Sequence, residues 1–271
     1  MKTQINLGTI QETLLIPLLA RAKELEQAEP IVTDPKSLEI IQKLDYDFEK
    51  FSTSNNSLVG SCLRGMIIDN WVSNFLQEHP QGTVIEIGAG LNTRFERLDN
   101  GKVRWFDLDL PDVIYLRQKF FAETSRRQFI SASVLDNDWI QRVKKTSNSP
   151  YMLLAEGVLM YLSEQQVKQL FDMLIGNFYG SQFAFDSISP LMVKNQQRHD
   201  SIKHMSANFD WSISDISEIQ NWNSGYQMIE MVTFANLEAK FLRRFSLINR
   251  LLFKYVPLLR NTYRLALFQL T

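Results

Sequence analysis

The sequence predicts an α/β fold built on a mostly parallel β-sheet. Within residues 83–189, five short apolar segments alternate with stretches of helical periodicity, which is the pattern of strands joined by crossover helices. The first segment ends in Gly88-Ala89-Gly90, and the second ends in two aspartates about 20 residues further on. Both features are typical of open α/β sheets, which bind their ligands beyond the carboxyl ends of the strands.

Length, composition and charge predict one folded domain over residues 1–271. The chain contains 45% hydrophobic and 22% charged residues, as globular proteins do. Its 29 basic and 30 acidic residues give a net charge of −1. A chain this close to neutral has no overall basic field for nucleic acid or an anionic membrane. We therefore expect neither partner, and we expect a monomer or a homodimer.

Cysteine and histidine usage excludes several kinds of site. The single cysteine, Cys62, cannot form an intrachain disulfide and suits a reducing compartment. His199 and His204 are five residues apart, not the four that place two metal ligands on one helix face. Residues 1–10 lack the basic start and apolar run of a signal peptide. We expect a cytoplasmic protein with no metal, and surface positions for these two histidines.

The first 80 residues predict an N-terminal helical cap. Apolar residues recur at helical spacing over 14–22, after the start signal Asp34-Pro35, and over 58–77. The third of these helices ends at residues 79–82, which contain a proline and a glycine.

The remainder predicts seven strands and the helices between them. The strands are expected at 83–88, 103–109, 128–133, 151–156, 182–187, 228–234 and 264–271, with helices at 111–123 and 163–178. The polar segment 190–225 predicts a lid insertion. Residues 241–259 predict one basic amphipathic helix, which either packs on the sheet or contacts a membrane or a partner, and we favour packing.

The glycine turn predicts a nucleoside site. A strand that runs into Gly88-Ala89-Gly90 turns tightly and lets a ligand approach the main chain. Asp107 and Asp109 end the next strand, where a carboxylate can accept hydrogen bonds from both hydroxyls of a ribose. A Gly-x-Gly turn alone also occurs in loops that bind nothing, so the acidic strand end is the observation that favours a nucleoside.

The residues around the turn disfavour a dinucleotide. Thr93 stands where a dinucleotide site has its third glycine, and no Gly-x-x-x-x-Gly-Lys run is present. Glu86 would repel a diphosphate but attract an ammonium or a sulfonium, and S-adenosylmethionine has both. The alternative is that Glu86 only accepts a hydrogen bond from a loop N–H.

Arg64 is a candidate anion clamp. On a helix, Arg64 shares a stripe with the small residues Gly60, Ser61 and Gly65, which leaves a close-approach surface with one positive charge. That surface suits a ligand carboxylate. The alternative is tight helix packing, with Arg64 reaching to water.

Four segments in order make the sequence resemble a known family. Residues 84–94, 105–111, 133–139 and 155–162, preceded by a helical part over 15–47, resemble the leucine carboxyl methyltransferase family in its broad sense, which includes tetracenomycin-type polyketide O-methyltransferases. The resemblance implies a Rossmann-like class I S-adenosylmethionine-dependent methyltransferase. The implied fold is a seven-stranded, mostly parallel sheet with the last strand antiparallel, plus a helical lid.

The resemblance also implies roles for individual residues. Tyr161 would lie near the transfer centre, as the catalytic candidate, and Ser133 and Val134 would flank the adenine. The full set implied to bind the cofactor is Arg64, Glu86, Gly88, Ala89, Gly90, Asp107, Asp109, Leu110, Ser133, Val134, Glu156 and Gly157.

Two departures from the family pattern bear on function. Asn92 stands where the family usually has aspartate, and Ser133 stands where the leucine carboxyl enzymes have an acid but polyketide-type members often have serine. We therefore expect an O-methyltransferase acting on a carboxyl or hydroxyl group of a small molecule, with Phe209, Trp211 and Trp222 as acceptor walls. The alternatives are methylation of a protein C-terminus and non-catalytic binding of S-adenosylmethionine. A nicotinamide oxidoreductase is disfavoured by Glu86 and Thr93.

Overall fold

A computed structural model of the chain describes residues 2–51, 55–199, 201–202 and 205–271. Its strands are β1 (Thr3–Gln4), β2 (Leu44–Asp45), β3 (Thr83–Ile87), β4 (Arg104–Asp109), β5 (Arg127–Ser131), β6 (Tyr151–Ala155), β7 (Gln182–Ile188), β8 (Tyr226–Thr233) and β9 (Tyr263–Leu270). Its α-helices are α1 (Leu15–Glu24), α2 (Pro35–Lys43), α3 (Asn55–Glu78), α4 (Arg94–Leu98), α5 (Pro111–Arg117), α6 (Asp138–Thr146), α7 (Glu164–Asn177), α8 (Pro190–Lys194), α9 (Ala239–Leu242), α10 (Leu247–Tyr255) and α11 (Pro257–Arg260).

A seven-stranded sheet forms the centre of the molecule. Its strand order is β5-β4-β3-β6-β7-β9-β8. The five strands from β5 to β7 pair in parallel, whereas β9 runs antiparallel to both of its neighbours. The predicted α/β fold with an antiparallel last strand is therefore confirmed. Both β3 and β6 are buried on both faces, which explains why β6 has no charged residue and why the one charged residue of β3, Glu86, needs a buried partner.

Alternation along each strand sends side chains to two different layers. Ile85 and Leu153 pack on the side of the core that includes α6 and α7. Val84 and Trp105 pack on the opposite side, against the apolar face of α3. This period of two also assigns Glu86 to the α3 side.

The N-terminal helices are fastened to the sheet by both apolar and charged contacts. Leu15 and Leu18 of α1 share a buried cluster with Leu91, next to the glycine turn. Asp34 caps α2 by accepting a hydrogen bond from the Ser37 N–H at 3.1 Å, as the Asp-Pro start signal predicts. The same carboxylate accepts from Arg21 Nε at 2.9 Å and from the hydroxyl of Thr93.

The predicted single helix over 241–259 is wrong, because the chain breaks it twice. Ser246 caps a new helix, α10, through the Asn249 N–H at 3.2 Å, and Pro257 begins α11. The segment packs on α3 rather than on the sheet, since the buried Phe245 contacts Val59 and Leu63. No helix of the described residues is long and apolar enough to cross a bilayer.

The segment 190–225 divides between two environments. Its first half contributes Ile202 and Phe209 to a cluster with α1 and α3. Its second half passes under the sheet, where Trp211 is buried and Trp222 packs edge-on to Phe171. The expectation that both tryptophans are acceptor walls is therefore wrong.

Replacing Asp34 by asparagine should destabilise the protein by about 3 kcal/mol. Asparagine still caps a helix, but it leaves the fully buried Arg21 without its counter-ion. Urea unfolding followed by circular dichroism measures this loss. Asp138→Asn, an exposed change in the first turn of α6, is the matched control and should cost about 0.5 kcal/mol or less. Equal stability of the two variants would contradict the assignment.

Candidate active site

One cavity of about 600 Å³ opens at the carboxyl ends of β3, β4 and β6. Its walls come from the glycine turn, the ends of the neighbouring strands, α3, the segment 10–21, described residues between 192 and 209, and residues between 234 and 263. Eleven of the thirteen predicted site residues line it, which are Arg64, Gly88, Ala89, Gly90, Asp109, Leu110, Ser133, Val134, Glu156, Gly157 and Tyr161.

The glycine turn needs both of its glycines. Gly88 and Gly90 have φ angles of +67° and +49°, which favour glycine. A Cβ on Gly88 would lie 2.3 Å from Val158 Cγ2, so the next loop packs directly on the bare backbone. The Gly88 N–H donates to the carbonyl of Leu108 at 2.8 Å, which ties the turn to the neighbouring strand.

Asp109 joins the end of β4 to the turn. Its Oδ2 accepts a hydrogen bond from the Gly90 N–H, and its Oδ1 accepts from the Leu110 N–H, each at 2.7 Å. Burial raises the pKa of Asp109 to about 6, against the opposing effect of these two hydrogen bonds. The carboxylate is thus held rigidly in the cavity wall and titrates close to neutral pH.

The buried side chain of Arg117 stabilises the turn, a contact that the sequence did not predict. Its Nη1 donates to the carbonyl of Gly90 at 2.7 Å, and its Nη2 donates to the carbonyl of Asn92 at 2.9 Å. The side chain is fully buried and lies 3.1 Å from Asp107 Oδ2. Arg117 is separated from the turn by a strand and a helix, so no local pattern indicated this contact.

Arg64 lies in the cavity wall among acidic partners. Its Nε donates to Glu156 Oε1 at 2.9 Å, and its Nη1 donates to the hydroxyl of Tyr263 at 2.8 Å and to Asp186 Oδ2 at 3.3 Å. Asp186 also accepts from the Gly157 N–H at 2.7 Å. Among the described residues these bonds occupy Nε and Nη1, which leaves Nη2 for a ligand anion.

Glu156 is ionised because two arginines face it. Burial disfavours the charged form, but Arg64 and Arg94 outweigh burial and lower the pKa of Glu156 to about 2. Arg94 also donates to Glu86 and, at 2.6 Å, to Asp69. Arg94 ends the segment 84–94, which resembles the family, but its role as the link between three carboxylates was not predicted.

The prediction that Glu86 and Asp107 contact the ligand is corrected, because neither residue lines the cavity. Both are buried on the α3 side of the sheet, where the register pairs them on β3 and β4. Arg94 binds Glu86, while Arg127 Nε lies 2.7 Å from Asp107. Glu86 therefore acts on the cavity only through Arg94 and Glu156.

The structure explains why position 92 is an asparagine where the family usually has an aspartate. It lines the cavity, and its Nδ2 lies 3.4 Å from Glu156 Oε2. An aspartate there would bring two carboxylates together. Its Oδ1 is buried with no hydrogen-bond partner among the described residues, and so can accept from a ligand.

The far end of the cavity is apolar and aromatic. Tyr161, whose hydroxyl is hydrogen-bonded to Thr13, packs against Phe209 at 5.6 Å between ring centroids. Burial raises the pKa of Tyr161, so the phenol is neutral. His199, which is half-buried, also lines this end, while His204 lies outside the described residues. The other apolar lining residues include Met192, Ile202, Phe234, Phe245 and Phe253.

Solved structures share the fold at low sequence identity. A protein of the DUF574 family from Streptomyces avermitilis aligns with a TM-score of 0.54 and 12% identity over 93% of this chain and 97% of that chain. An O-methyltransferase family protein from Burkholderia thailandensis aligns with a TM-score of 0.50 and 13% identity over 96% and 70%. At these identities the similarity establishes the fold alone.

Sequence relatives are more specific. The tetracenomycin polyketide synthesis O-methyltransferase TcmP of Streptomyces glaucescens is 30% identical over 88% of this chain and 87% of that protein. The S-adenosyl-L-methionine-dependent methyltransferase dpfgK of Gibberella zeae is 27% identical over 84% of each. The family model for leucine carboxyl methyltransferase matches residues 14–175. This match and these relatives confirm the resemblance, and the chain belongs to the leucine carboxyl methyltransferase family.

Proposed function

We propose that this S-adenosylmethionine-dependent methyltransferase methylates a carboxyl or hydroxyl oxygen of an apolar, polyketide-type small molecule. One observation carries the proposal, which is the continuity of the cavity. The polar end with Asp109, Glu156 and Arg64 leads directly into the end lined by Tyr161 and Phe209. A volume of about 600 Å³ lies within the range of small-molecule sites.

The donors and acceptors at the polar end fit S-adenosylmethionine. Each oxygen of Asp109 uses one lone pair on a backbone N–H, so both can still accept from ribose hydroxyls. Arg64 suits the carboxylate of the cofactor, and Glu156 with Asn92 Oδ1 suits its ammonium. Ser133 and Val134 lie in the wall beside Asp109, which suits the adenine.

The cofactor supplies an electrophilic methyl group when it is bound. The protein's part is to orient the acceptor oxygen towards the methyl group, at the polar end of the cavity, and to exclude water. A carboxylate acceptor is already ionised at neutral pH and needs no base. The neutral hydroxyl of Tyr161 can orient such an acceptor by donating a hydrogen bond, and His199, which lines the same end, is a candidate base for a phenol acceptor.

Similarity to TcmP, whose name places it in polyketide synthesis, supports a small-molecule acceptor, as does Ser133, since polyketide-type members of the family often have serine at this position. We also propose that residues 1–80 act as a cap and that the first part of 190–225 acts as a lid. In support, Leu14 and Pro17 line the cavity from the cap, while Ile202 and Phe209 line it from the lid.

The proposed function is tested by transfer of a labelled methyl group. The protein is incubated with methyl-labelled S-adenosylmethionine and three kinds of acceptor: carboxylated aromatic polyketides, their phenolic analogues, and peptides ending in leucine. Labelled methyl ester on the polyketide carboxyl is expected. Label only on the peptide would favour the protein C-terminal alternative. Tight cofactor binding with no transfer to any acceptor would contradict the proposal.

Affinity for S-adenosylmethionine should fall as the pH drops through about 6, because protonated Asp109 no longer accepts two ribose hydrogen bonds. The direction follows from the raised pKa: the carboxylate is ionised above that value and protonated below it. Below it, the association constant should fall by up to about tenfold per pH unit. Calorimetric titration over the range of stable folding measures the effect.

Asp109→Asn should remove this pH dependence and weaken binding by about tenfold or more above pH 6, where the wild-type carboxylate is ionised. Asp138→Asn, which alters an exposed carboxylate outside the cavity wall, is the matched control and should keep the wild-type curve. An unchanged pH dependence in Asp109→Asn would assign the titration to another group.

Tyr161→Phe should lower kcat by about tenfold to a hundredfold and leave the Kd for S-adenosylmethionine unchanged. The reason is that the substitution removes one hydroxyl at the acceptor end and keeps the ring contact with Phe209. Steady-state kinetics and calorimetry separate the two quantities. Tyr179→Phe, at a ring that is 76% exposed, is the control. Full activity of Tyr161→Phe would leave only a packing role for the ring.

A further inference from the structure

The surface formed by α10 and its flanking residues is unusually apolar on its outer side. Leu247, Ile248, Leu251 and Tyr255 of α10 are 62%, 69%, 47% and 67% exposed. Most other large apolar side chains of the described residues are buried, and no other described helix exposes as many. We call residues 239–260 the C-terminal helical surface.

Helix geometry places these four side chains together. Leu247, Leu251 and Tyr255 follow one another at intervals of four residues, and Ile248 lies three before Leu251, so they form one continuous stripe. The inward face is formed by Phe253, which belongs to the cluster with Val59 and Leu63. Apolar residues therefore cover both the inner and the outer face of α10.

Positive charge flanks the exposed stripe. Residues 239–260 contain six lysines and arginines and no aspartate or glutamate, in a chain whose net charge is −1. Some of these cations are engaged, since Arg244 binds Glu24 at 2.7 Å and Arg260 donates to the carbonyl of Lys254 at 2.8 Å. Arg243, Arg250 and Lys254 have no carboxylate among the described residues within salt-bridge distance. They remain available to an anionic partner.

We propose that the C-terminal helical surface lies on an anionic lipid membrane, with the stripe of α10 inserted among the acyl chains and Arg243, Arg250 and Lys254 at the headgroups. Exposed leucine and isoleucine beside lysine and arginine is the composition of interfacial helices, and basic residues near a surface are attracted by acidic lipids. This replaces our expectation of no membrane partner, which rested on the charge of the whole chain and not on its distribution.

A second copy of the chain fits this surface less well. A two-fold interface would bring the same segment against itself, with positive charge on both sides and no acidic residue of 239–260 to pair with it. The surface also adjoins the cavity, because Phe253 and Leu259 belong to its wall. Membrane contact would thus occur beside the cavity and not at a remote face.

The test is co-sedimentation of the full chain with vesicles of phosphatidylcholine alone and of phosphatidylcholine mixed with phosphatidylserine. Binding to the mixed vesicles, weaker binding to neutral ones and loss at high salt are expected. Ile248→Asp with Leu251→Asp removes the stripe, and Arg250→Glu with Lys254→Glu reverses the flanking charge. Each pair should weaken binding by about tenfold or more. None of these four residues lines the cavity.

Matched controls keep the result specific to this surface. Tyr179→Asp changes a ring that is 76% exposed elsewhere, and Lys168→Glu reverses an exposed charge on α7. Both should bind vesicles as the wild type does, and calorimetry with S-adenosylmethionine should show that every variant remains folded. No binding of the wild type to anionic vesicles would overturn the proposal. So would equal loss in the controls, or a wild-type dimer that Ile248→Asp with Leu251→Asp converts to a monomer.

Discussion

Arg94 is fully buried, and its guanidinium joins carboxylates from three separate elements. Asp69 comes from α3, Glu86 from β3, and Glu156 from the loop after β6. A buried arginine without partners is prohibitively unfavourable, and three buried carboxylates without Arg94 would be worse. The helix, the central strand and the wall of the cavity are therefore forced into one arrangement. Arg94 itself follows the glycine turn directly, so the same interaction fixes where that turn lies.

The charged network that extends from Arg94 contains one more acid than base. Arg64 continues it towards Asp186 and Tyr263, and Arg97 continues it towards Asp69 and Asp34. Burial accordingly raises the pKa values of Glu86 and Asp186. A ligand that brings positive charge to Glu156 would relieve this excess, which is a physical reason for a cationic cofactor at this site. The members are Arg21, Arg64, Arg94 and Arg97 with Asp34, Asp69, Glu86, Glu156 and Asp186.

Local patterns were sufficient to predict the sheet but not the C-terminal segment. All seven strands of the central sheet and its antiparallel last strand were predicted, because buried strands are short, apolar and separated by clear helical periods. The segment 241–259 has a helical period throughout, so its apolar spacing gave no reason to divide it. Ser246 and Pro257 divide it by hydrogen bonding and by backbone geometry, which the apolar period does not report.

Asp107 and Asp109 were both predicted to bind the ligand, and their different positions show what limits the prediction of a site. Asp107 and Asp109 lie on the same side of β4, and only their depth differs. Asp109 ends the strand and reaches the cavity. Asp107 is two residues earlier on the strand, where Arg117 and Arg127 enclose it. A sequence identifies the strand and its acids. It does not reveal the arginines that arrive from elsewhere in the chain, and those decide which carboxylate faces a ligand and which one holds the fold together.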